Sequence, residues 1–315
     1  MSLTIGVDVG GTKIAGGVVD EQGQIVDQLR VESPAQDAEA IEEAVAGLVA
    51  RLRTRHEVTA VGVGAAGYID SARSKVLFAP NIAWRDLDLR SEIEARVDLP
   101  VVVENDANAA AWGEFRFGAG EDVDDQVMVT VGTGVGGGLV LDGRLFRGAF
   151  GIAGELGHLR IEPGGRLCGC GNRGCWEQYA SGTAMVRAAR AEAAEGSMLA
   201  RPLIDRAGSV EAIDGPLITQ AAHDGDAFAI DQLATLGRWL GEGIASLAAV
   251  LDPAVVVLGG GVAAAGDLLL LPTRTAFERE LTGRGHRPVL EIRLATLGNT
   301  AGVIGAADLA REPAG

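Results

Sequence analysis

Two segments of this chain, lying about 120 residues apart, follow one plan, and that echo limits the folds open to it more than any other feature. Leu3 to Val9 is a β-rich run closed by Gly10-Gly11, and Lys13 to Val19 is a second such run. Val127 to Val131 is apolar again, is closed by Gly132-Thr133-Gly134, and leads into Leu139 to Leu141. Short β-branched runs broken by glycine read as strands and tight turns. Two like units, each opening a β-rich stretch, predict a duplicated α/β fold with a central cleft. Clefts between domains are where small-molecule sites tend to lie. A length of 315 residues fits two domains of roughly 100–200 residues each.

Other elements follow from pattern. Strands are expected over Gln24 to Val31, Val58 to Val63, Pro100 to Val103, Ala254 to Leu258 and Val289 to Leu294. A helix is expected over 39–52, where Ile41, Val45, Leu48, Val49 and Leu52 recur at helical spacing. Further helices are expected from Asp106 to about Phe117 and from Ala301 to Arg311, with a mostly helical region after about residue 176. The expected division is a small lobe, 1–108 with the C-terminal helix 299–315, and a large lobe, 109–298.

The first glycine turn nearly spells a P-loop but in the wrong order. Gly6 and Gly11 have the spacing, yet Thr12 precedes Lys13, and the continuation Ile-Ala-Gly-Gly-Val-Val is strand-like where a P-loop opens a helix. The segment therefore reads as a hairpin turn. Either it is only that, with a solvated Lys13, or the backbone N–H groups of Gly10 and Gly11 and the Thr12 hydroxyl cradle phosphate oxygens. Asp8, at the strand end, is placed to hold Mg²⁺ directly or through water. The second loop, Gly132 to Gly137, fits the dinucleotide fingerprint as a string, but a strand follows it where that fingerprint needs a helix. Gly259-Gly260-Gly261, after a strand, is a third place where bare backbone can admit an adenine or a ribose.

Glu104-Asn105-Asp106-Ala107-Asn108 follows a buried strand, and polar side chains so placed are costly unless paired. Asp106 stands where a helix N-cap belongs. Its alternative role is a general base that takes a proton from a substrate hydroxyl. Further on, His158, Cys168, Cys170 and Cys175 form a Cys₃His set, enough for a closed tetrahedral Zn²⁺ site with no position left for water. The other reading is three unliganded thiols and a surface histidine. Glu155 and Glu177 flank these ligands, so a metal knot would hold both acids in place. His56, His223 and His286 sit in polar or turn contexts and are expected at the surface.

Composition excludes some partners. The net charge of −16 repels nucleic acid and anionic membrane. Three clustered cysteines do not make a disulfide scaffold and point to a reduced, cytoplasmic setting. Asp8 interrupts the first apolar stretch, so no signal peptide is expected there, and the stretch from Ile244 to Val257 is broken by Asp252-Pro253 and too short to span a bilayer.

Taken in order, Asp8 to Lys13, Glu104 to Ala110, Gly132 to Gly138, Glu155 to His158 and Cys168 to Glu177 resemble the ROK family (repressors, open reading frames, kinases), and within it the actinobacterial-type glucokinases. The resemblance covers nearly the whole chain, and the conjunction is far more specific than any one motif. It implies a ribonuclease-H-like (actin-like ATPase) fold whose two lobes close on a sugar, and a homodimer or homotetramer. It implies ATP-dependent phosphorylation of glucose at the 6-hydroxyl, with another hexose (N-acetylglucosamine, N-acetylmannosamine, mannose or fructose) as alternative substrate, and whether polyphosphate can replace ATP stays open. By this likeness Asp106 is the base, Asn105, Glu155, His158 and Glu177 hold the other hydroxyls, and Gly67 and Asn81 line the same pocket. One His158 nitrogen would face zinc and the other the sugar. Thr12, Thr133 and the two glycine turns would cradle the ATP phosphates, and Gly259 to Gly261 the adenosine. The family's repressors carry a DNA-binding segment ahead of the first phosphate loop. With that loop beginning by residue 8, a kinase is expected here.

Overall fold

The computed structural model describes residues 2–80 and 82–311. In chain order the first strands are β1 (Thr4–Val9), β2 (Lys13–Val19) and β3 (Ile25–Glu32), followed by α1 (Ala38–Arg53) and β4 (Val61–Ala65). Three short strands, β5 (Tyr68–Ile69), β6 (Val76–Phe78) and β7 (Arg85–Leu87), precede α2 (Leu89–Val97), β8 (Val101–Asn105) and α3 (Asp106–Phe117). Then come β9 (Gln126–Val131), β10 (Val135–Leu141) and β11 (Arg144–Leu145). The helical region holds α4 (Glu177–Ala180), α5 (Gly182–Ala194), α6 (Arg201–Ala207), α7 (Gly215–His223) and α8 (Ala227–Leu251). The chain ends with β12 (Val255–Gly259), α9 (Asp267–Glu280), β13 (Glu291–Leu294) and α10 (Ala301–Leu309).

The echo in the sequence is an echo in topology. One five-stranded sheet has the order β3-β2-β1-β4-β8 and another the order β11-β10-β9-β12-β13, so each begins at the strand before its glycine turn and grows outward the same way. β1 pairs antiparallel with β2 and parallel with β4, and β4 pairs parallel with β8. The third sheet, β5-β6-β7, is a small antiparallel meander with no counterpart in the sequence reading.

Two compact units result. One comprises Met1–Met128, Gly137–Gly154 and Thr296–Gly315, and the other Val129–Gly136 and Glu155–Ala295. The first therefore keeps α3 and the segments after it, which lie beyond the boundary expected at residue 108. The reason is α10, every residue of which is buried. A Cβ on Gly305 would stand 1.8 Å or less from backbone, at 1.7 Å from the Ala109 carbonyl oxygen of α3. Added at Gly6 and Gly62 in the central strands, it would stand 1.8 Å from the Val303 and Ala306 carbonyls. Glycine here permits backbone-to-backbone packing of a helix on a sheet. The buried Glu114 carboxylate completes the anchorage, accepting the N–H groups of Ala119, Thr296 and Leu297 at 2.9, 3.1 and 2.7 Å. On its other side the sheet packs α1, with Ile41, Val45, Leu48, Val49 and Leu52 buried and Asp37 capping the N-terminus.

In the second unit α8 and α9 lie together. A Cβ on Gly241 would meet the Thr273 carbonyl oxygen at 2.4 Å. Gly243 leaves room for the Trp176 indole, whose Nε1 donates to the Trp239 carbonyl at 2.8 Å. Among the described residues no helix is long and apolar enough to cross a membrane.

Candidate active site

In the first unit the chemistry gathers at the C-terminal ends of β1, β4 and β8. Asp8 is paired in register with Gly64 of β4, and Ala65 with Asn105 of β8. Asp8 also lies against the first turn of α10, where a Cβ on Gly302 would approach its carboxyl at 3.4 Å. Burial, and then the neighbouring Asp106 carboxylate, push the Asp8 pKa up to about 7. Lys13 continues directly into β2, so the Gly10-Gly11-Thr12 segment is a hairpin turn. The Gly10 N–H donates to the Lys13 carbonyl at 3.0 Å within that turn, which leaves exposed Gly11 and Thr12 as the groups presented outward.

The cap of α3 is Asn105 and not Asp106. The Asn105 Oδ1 accepts the Asn108 N–H at 3.0 Å, while its Nδ2 donates to the Gly67 carbonyl at 3.0 Å. With the cap position filled, Asp106 is the first residue of the helix, and its Oδ1 accepts its neighbour's N–H, that of Ala107, at 2.9 Å. Burial raises the Asp106 pKa against the pull of local backbone N–H groups, yet the residue keeps a partial opening to solvent. Two carboxyls close enough to perturb one another, both held away from bulk water, are the arrangement expected of a proton-transfer or cation site. Gly67, at φ 152°, brings the meander close, since a Cβ there would stand 2.5 Å from the Phe78 carbonyl oxygen. Asn81 lies outside the described residues.

The second unit carries two groups of residues. In the Gly132-Thr133-Gly134 turn the Gly132 N–H donates to the Gly134 carbonyl at 3.0 Å, and β10 follows at once, so no dinucleotide-type helix opens here. Thr133, Gly132 and Gly261 line a cavity of about 670 Å³, within the range of ligand pockets. Its other wall comes from the first residues of α5 and α7, among them Thr183, Pro216 and Thr219. The sequence reading missed this wall, although Ser181-Gly182-Thr183 and Asp214-Gly215-Pro216 are helix-start signals that place N-termini there. Gly259 is buried as the last residue of β12, and Gly260, at φ 84°, backs onto Val131. Only Gly261 of that trio reaches the cavity wall.

His158 ends a short helical turn that begins after Glu155. The ligand atoms of His158, Cys168, Cys170 and Cys175 all lie within 4.8 Å of one another. Cys170 and Cys175 sulfurs are 3.6 Å apart, as are the Cys168 sulfur and His158 Nδ1. Those separations approach the edge, about 3.7 Å, of a tetrahedron with Zn–S bonds of about 2.3 Å. The donor set and its spacing fit Zn²⁺. Two short bridges, Arg160 with Cys175 and Leu167 with Arg173, tie the loop, and Gly174 at φ 81° packs against the Glu162 carbonyl. The other His158 nitrogen, Nε2, stands 3.9 Å from Glu155 Oε2, and Glu177 stands beside Nδ1 at 4.0 Å. A Cβ on Gly134 would lie 2.8 Å from Glu177 Oε2, so the glycine turn and this acid share one neighbourhood.

The sequence matches the ROK family over residues 4–313. The chain belongs to the ROK family. The glucokinase of Streptomyces coelicolor is 52% identical over 314 residues, covering 99% of each chain. A crystal structure of a ROK family glucokinase from Streptomyces griseus in complex with glucose and AMPPNP superposes with a TM-score of 0.91 at 53% identity, over 98% of this chain and 99% of that one. A ROK hexokinase from Thermus thermophilus superposes with a TM-score of 0.81 at 37% identity, over 98% of each chain. The fold is thus the duplicated α/β fold expected from the echo in the sequence, of the ribonuclease-H-like (actin-like) type that the family resemblance implies.

Proposed function

We propose that this ROK protein is a glucokinase, transferring the γ-phosphoryl group of ATP to the 6-hydroxyl of glucose. What carries the reading is Asp106, a carboxyl relieved of capping duty by Asn105, raised in pKa by burial, and open to a ligand, in a chain so similar to glucose-phosphorylating relatives. In the reaction the sugar O6 attacks the γ-phosphorus while its proton passes to the Asp106 carboxylate. The bond from the γ-phosphorus to the bridging oxygen breaks, and its electrons leave with ADP. Little covalent help is needed, so positioning and charge stabilisation dominate. A base with raised pKa stands nearer neutrality, where transfer is best driven.

The remaining roles follow the same reading. Asn105, Glu155, His158 and Glu177 hold the other sugar hydroxyls, with Gly67 beside them. Gly11, Thr12, Gly132 and Thr133 meet the phosphates, with Gly10, Lys13 and Gly134 shaping the two turns. The 670 Å³ cavity at Gly261 takes the adenosine. Asp8 holds the Mg²⁺ that accompanies ATP, and that cation would relieve the repulsion between the two carboxylates. Zinc held by His158, Cys168, Cys170 and Cys175 is structural, fixing Glu155 and Glu177. Thiols kept as metal ligands support a cytoplasmic setting, and the family likeness supports a homodimer or homotetramer.

Asp106→Asn tests the base directly. The expected result is a loss of kcat of about 10²–10⁴-fold with glucose binding largely retained. A folded Asp106→Asn protein with near-normal kcat removes Asp106 from the mechanism.

A further inference from the structure

Glu104, Arg73 and Arg147 form a charged cluster at the β8–α3 junction that carries the proposed base, and none of the three is assigned to a ligand. Glu104 is 1% exposed, next to last in β8. Its Oε1 accepts the Asn105 N–H and the Asn108 Nδ2 group, both at 3.0 Å. Those two partners flank Asp106 in the chain. Its Oε2 lies 3.3 Å from Arg73 Nε and 3.8 Å from Arg147 Nε.

Arg73 is the unusual member. It is 8% exposed and sits at φ 56°, a left-handed conformation that costs a side-chain-bearing residue about 1–2 kcal/mol. Its backbone serves the same strand as its guanidinium does. The Arg73 carbonyl accepts the Val103 N–H and Arg90 Nε, both at 3.1 Å. Arg147 arrives from the loop after β11, which Ala153 closes by donating to the Arg147 carbonyl at 3.1 Å, and its Nη1 donates to the Ser71 carbonyl at 3.4 Å.

A desolvated carboxylate with two guanidiniums is an expensive way to fill a core, since apolar side chains of like volume usually serve stability as well or better. Backbone strain that persists in such a place is a pointer to function. We propose that Glu104, held by Arg73 and Arg147, is a positioning residue that fixes the Asn105 backbone and the Asn108 side chain on either side of Asp106, and so the direction of the Asp106 carboxylate. The inference rests on Asp106 being the base. Its logic is geometric: the β8–α3 junction must turn between Asn105 and Asp106, and Glu104 pins the chain on both sides of that turn. Small misplacement of a reacting group costs about 10²-fold in rate at 1 Å.

The experiment compares Glu104→Gln, Arg147→Ala, Arg147→Lys and Asp106→Asn in the full-length protein, with Mg-ATP and glucose. Steady-state constants for both substrates and thermal midpoints are measured. Glu104→Gln should lower kcat by about 10²-fold and Arg147→Ala by about 10-fold, with KM for Mg-ATP changed less than about twofold. Arg147→Lys, which keeps the charge, should recover most of the loss. Should Glu104→Gln fail to fold, the two Arg147 variants decide, since that side chain is a quarter exposed on a loop. Folded Arg147→Ala with unchanged kcat, or a rise in KM for Mg-ATP without loss of kcat, overturns the proposal while an inactive Asp106→Asn leaves the base in place. An active Asp106→Asn overturns the base itself, and the positioning role with it.

Discussion

Asp8→Asn should make the ligand-free protein more stable at alkaline pH and less useful as an enzyme. An Asp8 carboxyl raised from 3.8 to about 7 by burial and by Asp106 binds a proton more readily in the folded state than in the unfolded one. Below pH 4 it is protonated in both states, and the folded protein carries no penalty. Between about pH 4 and pH 7 the unfolded state loses its proton first, so stability falls as pH rises through the folded pKa. At pH 8 the full penalty applies, about 4 kcal/mol at 1.36 kcal/mol per pKa unit. Asparagine has the same shape and no charge to desolvate. The stability of Asp8→Asn minus that of the parent should therefore be less than half as large at pH 5 as at pH 8, where it reaches roughly 2–4 kcal/mol, the lower figure allowing for relaxation around a buried amide. Taking the difference cancels the titrating groups that do not interact with Asp8, and leaves its coupling to Asp106 inside the measured effect. Denaturant unfolding at pH 5, 6, 7 and 8, without nucleotide or Mg²⁺, measures it. A difference that is flat with pH, or an Asp8→Asn protein less stable than its parent at pH 8, refutes the reasoning. The same titration predicts that the affinity of the parent for Mg-ATP weakens below about pH 7, because a metal-ligating carboxylate must be deprotonated.

Gly305→Ala should cost about 3 kcal/mol or more, or prevent folding, because its Cβ would lie 1.7 Å from the Ala109 carbonyl oxygen and neither backbone can yield alone. Gly47→Ala, in α1 with nothing within 4 Å of the new Cβ, should instead add roughly 0.5–1 kcal/mol, and thermal midpoints of the pair check both signs. Metal analysis of purified protein should find about one zinc per chain. Cys175→Ala should lose that zinc and raise KM for glucose far more than KM for Mg-ATP. A Cys175→Ala protein with unchanged glucose KM contradicts the link between the zinc loop and the sugar acids.

Much of this architecture is legible in the sequence because local chemistry and tertiary structure agree. The order Thr12-Lys13 already separates a hairpin from a P-loop, and β2 begins at Lys13. The Cys₃His spacing already brings four ligand atoms together. Other features depend on contacts distant in sequence. Asn105 and Asp106 are equally good caps side by side, and what separates them is the Asn105 bond to the Gly67 carbonyl, 38 residues away. The meander β5-β6-β7 has strands of two or three residues, too short for any alternation to show, and α2 has only Leu89, Ile93 and Val97 to mark it. Gly6 and Gly62 look like weaknesses in strands until α10, from the far end of the chain, lies on them. The buried ion pairs of Glu104 with Arg73 and Arg147 carry no local signature, because each partner comes from a different loop.

Phosphoryl transfer to the 6-hydroxyl is tested most directly by giving purified protein Mg-ATP with glucose, 6-deoxyglucose, N-acetylglucosamine, N-acetylmannosamine, mannose or fructose and following ADP release. Release should be fastest with glucose and no higher than background with 6-deoxyglucose, which lacks the accepting oxygen. Faster turnover of another hexose would contradict the choice of sugar, ADP release with 6-deoxyglucose the choice of hydroxyl, and silence with every hexose the assignment as a sugar kinase.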